Sequence, residues 1–188
     1  KTHPSTTIRT TMTTPHLITI PSPAVAPSAA RDFDFLMGPW RIRNTRLVRR
    51  LADCNDWEVF DATGSVHPLP ADIGNYDSFT PQAWKPGYVG MALRVFSPES
   101  QRWSIYWLDN LTGGLDPATG QLLPPVVGGF QDGVGIFEGE DLFEGRPVRV
   151  RFEWSQMHTG APRWQQAFSD DGGATWEGNW VMEFARPV

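Results

Sequence analysis

Phe33-Asp34-Phe35-Leu36-Met37-Gly38-Pro39-Trp40-Arg41-Ile42-Arg43 is the stretch on which the reading of this chain turns. Phe33, Leu36 and Met37 fall on one side of a short helical turn over Ala29–Met37. Ser28 is placed to cap that turn and Gly38 to end it as the residue after its C-cap. Beyond Gly38 the hydrophobic period changes from helical to alternating. Trp40, Ile42, Asn44, Arg46 and Val48 share one face, which predicts a first strand over Pro39–Val48.

Working outward, the rest reads almost wholly as strands. Trp57–His67 predicts a second strand, and Gly74–Asp77 a weaker third. Tyr88–Phe96 and Trp103–Asp109 flank the turn Ser97–Gln101 as a tight hairpin. Val126–Phe130 and Val134–Gly139 meet at Asp132-Gly133 in another. Pro147–Ser155, Arg163–Ser169 and Trp176–Arg186 follow. An antiparallel meander of about ten such strands closes into an up-and-down barrel without leaving an exposed edge. Alternation also assigns faces. Val148, Val150, Phe152 and Trp154 should point inward, as should Trp164, Gln166 and Phe168, and Trp180, Met182, Phe184 and Arg186. Gln166 and Arg186 are then polar residues among apolar ones, and each needs a partner.

Composition supports this class. With 18 Gly and 17 Pro in 188 residues a helix bundle or coiled coil is excluded, and 40% hydrophobic residues exclude disorder throughout. The formal net charge is −5, and no basic tract exceeds Arg49-Arg50, so neither nucleic acid nor an anionic membrane surface is an expected partner. Cys54 stands alone, which excludes an intrachain disulfide and a multi-cysteine metal site. Pro21 and Pro23 interrupt the apolar run His16–Ala26, a poor signal-peptide core, and the cytoplasm is the expected compartment. Residues 1–27 carry Thr at 2, 6, 7, 10, 11, 13, 14 and 19 and Pro at 4, 15, 21, 23 and 27. They are expected to form a flexible arm ahead of a single barrel domain over 28–188, or an arm that packs on a second subunit to make a homo-oligomer. Met12 offers an internal start within it.

The helical turn followed by Gly38-x-Trp40 resembles the opening of lipocalins and other calycin barrels. In those folds the helix plugs one barrel end, and an Arg from the last strand stacks on the Trp. Arg186 is the matching position here, joining first strand to last by a cation–π contact. From about Phe33 to Arg186 the chain further resembles a bacterial calycin-like (lipocalin-like) barrel family with no defining reaction. That resemblance rests on Trp103-Ser-Ile-Tyr-Trp107, on Phe130-Gln-Asp-Gly-Val-Gly-Ile-Phe137 and on Ser169–Trp180. Ser169-x-Asp171-x-Gly173-x-Thr175-Trp176 also has the Asp-box spacing of sialidase hairpins, a turn clamp in which a carboxylate accepts backbone N–H groups. Nitrobindin-type barrels hold haem through one histidine. Their Gly-x-Gly is missing from residues 41–46, however, so no haem or other cofactor is expected. No cluster of His, Cys and carboxylates has ligand spacing, so no metal is expected either.

No nucleophile elbow, phosphate loop or dinucleotide fingerprint is present. What remains is a barrel cavity. Trp107, Trp154 and Trp164 are candidate stacking walls, with Asn44, Arg94 and Gln166 as polar contacts, for a small hydrophobic or aromatic ligand. An alternative is a cofactor-free cyclase, isomerase, lyase or decarboxylase in the same cavity. His67 would be its general base, partnered by Asp109 or Tyr106.

Overall fold

The computed structural model describes residues 28–188, and the expected arm and any oligomer formed through it lie outside these, as does the side chain of Ser28. Ten strands run in chain order: β1 (Gly38–Leu47), β2 (Trp57–Pro68), β3 (Gly74–Pro81), β4 (Gly90–Ser97), β5 (Arg102–Asp109), β6 (Val126–Gln131), β7 (Val134–Phe143), β8 (Arg146–Ser155), β9 (Arg163–Ser169) and β10 (Glu177–Ala185). Each pairs antiparallel with its neighbour in sequence. β1 also pairs with β10, from Arg41 against Ala185 to Arg46 against Trp180, and closes the barrel. The expected all-β barrel is the observed one. Its strand period of two sends Trp40, Ile42 and Asn44 of β1 inward and Arg41 and Arg43 outward.

Local expectations change at several points. The single helical turn is two short 3-10 turns, Ser28–Arg31 and Asp34–Leu36. Their tighter winding suits side chains three residues apart, and it seats Phe33 and Leu36 side by side in the barrel end, both fully buried. β1 stops at Leu47, where its register with β2 ends opposite Trp57, so Val48 lies in the following loop and is exposed rather than inward. The weak third strand extends to Pro81, with Phe79 buried on its inner face.

One end of the barrel is shut by aromatic packing. The Phe33 ring lies 4.9 Å from Trp103 and 4.9 Å from Phe130, both edge-on. Trp40 Nε1 donates to the Leu36 carbonyl, which ties the plug to the first strand. The Arg186 guanidinium sits 3.6 Å from the centre of the Trp40 ring and donates to the carbonyls of Met37 (2.8 Å) and Pro39 (3.2 Å). It closes the end from outside: the chain leaves β10 at Ala185, so Arg186 is exposed rather than inside the barrel. Burial of Phe33 and Leu36 contributes about 1.5–3 kcal/mol each.

The β9–β10 turn at the opposite end is the clamp that its spacing predicts. Ser169 Oγ donates to Asp171 Oδ1 (2.7 Å), Thr175 N to both Asp171 oxygens (3.0 Å), and Gly173 N to Ser169 Oγ (2.8 Å). Those hydrogen bonds, that of the Thr175 hydroxyl foremost, hold the Asp171 carboxyl far below the usual carboxylate range. Trp176 covers the turn under the Arg151 guanidinium, 4.0 Å away.

Candidate functional site

The barrel interior above the aromatic plug holds a cavity of about 440 Å³ that opens at the end formed by the β1–β2, β3–β4 and β5–β6 connections. Trp107, Trp154, Trp164 and Trp180 stand in its wall with Met182 and Phe184. Gly90 makes room for one of them. It pairs with Asp109 across β4–β5, and a Cβ there would fall within the Trp107 ring.

Two polar arrangements interrupt the apolar wall. Arg94 is 4% exposed, donates to Asn75 Oδ1 (2.9 Å) and forms an ion pair with Asp77, whose second oxygen accepts the Ala92 N–H (2.8 Å). A buried guanidinium needs such a partner set, because desolvating an unpaired charge costs several kcal/mol. Its plane stacks over Phe33 at 5.3 Å, so the pair also joins the wall to the plug. Gln166 Nε2 donates to Asn179 Oδ1 (2.9 Å) while its side chain lines the cavity.

Charge gathers at the mouth. Arg46 donates to Glu58 Oε1 (2.8 Å), which also accepts from Trp84 Nε1 (3.0 Å). The guanidinium lies 5.0 Å from the Trp84 ring and 5.4 Å from that of Trp180. Arg50 rests on Phe143, 4.5 Å from its ring centre, and burial together with the Arg46 charge brings its pKa down to about 10. Lys85 Nζ lies 4.6 Å over Trp84. Tyr88 donates to Asp109 Oδ2 at 3.5 Å, and its burial, reinforced by that carboxylate, pushes the phenol up to about 12. Burial likewise raises the carboxyl of Asp141, which lines the cavity.

Six of the expected site residues meet around this space: Arg94, Trp107, Asp109, Trp154, Trp164 and Gln166. Asn44 is inward but fully buried behind the wall, where its Oδ1 accepts from Trp180 Nε1 (3.0 Å) and holds that indole in place. Tyr106 faces outward, between the inward Ile105 and Trp107 on β5. His67 is exposed on the outer face next to the inward Val66, and its ring stacks 5.4 Å from Tyr76. Neither reaches the cavity. Strand parity already separates Tyr106 from Trp107 and Asp109, since neighbours on a strand cannot share a face. Trp180 and Arg46 stand on inward faces by the same rule, and both line the cavity. Trp84 and Lys85 come from the β3–β4 connection, where no periodicity marks what turns toward the barrel; Tyr88, expected to open the next strand, lies just ahead of β4, which starts at Gly90.

No protein-family model matches the chain, and a comparison with curated proteins finds no match. Among solved structures it is similar to the S-type phycobiliprotein lyase CPES from Guillardia theta, with a TM-score of 0.53 at 9% identity, over 83% of this chain and 90% of that one. The likeness is one of fold: this chain is built as a calycin-like barrel, closed at one end by aromatic packing and open at the other.

Proposed function

We propose that the barrel binds a small, largely apolar or aromatic molecule in this cavity. The observation that carries the reading is the cavity itself: about 440 Å³, lined by six tryptophans, with Arg94 and Gln166 among its polar groups. Apolar walls with a few placed polar groups are the general anatomy of small-molecule sites. The Guillardia theta protein, a phycobiliprotein lyase, lends support through its similar fold. Trp107, Trp154 and Trp164 would stack on the ligand, and Gln166 and Arg94 would orient it. Asn44 would act one step back, by fixing Trp180.

The acid–base alternative retains Asp109 in the cavity, while His67 and Tyr106 face the other side of the wall. Asp109 Oδ1 is occupied by the N–H groups of Leu111 and Thr112 (2.8 Å each) and its Oδ2 by Tyr88, which favours binding without turnover.

Ala92 supplies the test, because it is inward, small and part of the cavity wall. Titrated with 1-aminoanthracene, the wild-type protein should show saturable quenching of tryptophan fluorescence. Ala92→Trp, checked for a native circular dichroism spectrum, should weaken binding by about tenfold or more, the consequence of losing ~1.4 kcal/mol or more. A folded Ala92→Trp that binds as the wild type does would remove the cavity as the site.

A further inference from the structure

The barrel wall is incomplete beside the mouth. β5 pairs with β6 only over Trp103–Ile105, against Val126–Gly128. β6 in turn leaves β7 after Val127 pairs with Glu138. Tyr106–Asp109 of β5 and residues 139–143 of β7 therefore have no strand between them. The connection 110–125 covers this gap as a small hairpin of its own. Leu115 bridges Leu122, Leu123 N donates to the Gly114 carbonyl (2.9 Å), and Asp116 N to that of Gln121 (2.8 Å). Gly114, at φ +67°, lets this backbone lie on β5, since a Cβ there would strike the Trp107 carbonyl.

Beneath the hairpin lies a second cavity of about 380 Å³, lined on its outer side by Leu115, Pro117 and Leu123. Its inner side is the wall of the barrel cavity: Ile105, Trp107, Asp109, Thr112, Asp141 and Phe152 line both spaces. The gap between β5 and β7 thus places two largely apolar chambers back to back across a shared wall.

We infer that the two chambers form one bipartite site, which takes an elongated, largely apolar molecule reaching from the indole-walled barrel chamber into the chamber beneath the 110–125 hairpin. This rests on the proposed barrel-binding function and adds the length and path of the ligand. A compact molecule fills the barrel chamber alone, while an elongated one needs both. Selectivity for length then resides in the hairpin rather than in the barrel.

The experiment compares two fluorescent probes: compact 1-aminoanthracene and elongated 1,6-diphenyl-1,3,5-hexatriene, each titrated into wild-type protein and into Leu115→Trp. Leu115 is 41% exposed, so an indole can be accommodated there without disturbing the barrel. Leu115→Trp should weaken the elongated probe by about tenfold and leave the compact one within about twofold. Leu123→Trp serves as a second variant on the same chamber, and is decisive if Leu115→Trp lacks the native circular dichroism spectrum. Unchanged affinity for the elongated probe, or equal losses for both probes, would overturn the bipartite site while leaving barrel binding in place. Failure of the wild-type protein to bind even 1-aminoanthracene would overturn both readings.

Discussion

The two ends of this barrel are made of similar residue types put to opposite uses. At the closed end Trp40, Phe33 and Arg186 are locked: the indole donates to the Leu36 carbonyl, and the guanidinium lies over it with its donors on backbone carbonyls. At the mouth Trp84, Phe143 and Trp180 also carry cations on their faces, from Arg46, Arg50 and Lys85. There the rings border the open side of the cavity instead of its plugged end. Aromatic–cation pairing is therefore not itself a mark of a site. What separates the ends is what the ring is fastened to. Trp40 borders the cavity too, but its indole is bonded to the Leu36 backbone of the plug, whereas Trp84 and Trp180 are held by side chains, those of Glu58 and Asn44.

This contrast can be broken most forcefully at the closed end. Trp40→Ala should destabilise the protein by about 3–5 kcal/mol, the range for truncating a large aromatic in a packed core, read as a lower denaturant midpoint. A loss below about 1 kcal/mol would mean that the plug does not hold the barrel shut. Arg186→Met keeps the length of the side chain and removes the charge and the donors. It should cost about 1–2 kcal/mol, since the group is exposed and its hydrogen bonds are partly replaced by water.

The mouth sharpens the comparison through pH rather than through stability at neutrality. Tyr88→Phe should change stability near pH 7 by about 1 kcal/mol or less, because the 3.5 Å bond to Asp109 is long. The folded phenol titrates at about 12 instead of 10, so the native state keeps its proton where the unfolded chain loses it. That contribution is fully present below pH 10 and is lost as pH rises toward about 12. A phenolate absorbance titration of the folded protein should show one late tyrosine, and Tyr88→Phe should remove it along with the extra loss of stability in that window. Persistence of the late titration in Tyr88→Phe would place it on another residue and leave the mouth without this buried pair.

Legibility from sequence followed the length scale of the interaction. The alternation of Val148, Val150, Phe152 and Trp154, and of Trp164, Gln166 and Phe168, translated directly into inward faces, because a strand's period of two is a local property. An inward Gln166 needs a partner, and Asn179 on the neighbouring strand supplies one. His67 and Tyr106 were drawn toward the site by their chemistry, although each adjoins an inward residue, Val66 or Trp107, that leaves it facing outward. Chemistry suggested them and geometry removed them from the cavity. Trp84 and Lys85 carry no signal, because the path of a connection depends on what it packs against.

The amino-acid order by itself determined the strands, their antiparallel succession and the turn clamp at Asp171. All of these rest on contacts between chain neighbours or on a repeating period. Only the tertiary structure decided which connections fold over the mouth, that Asp77 neutralises Arg94, and that β5 and β7 part to leave a second chamber beneath residues 110–125. Those depend on where closure of the whole barrel brings distant segments together. Closure is set by the joint register of ten strands, which no single stretch of sequence contains.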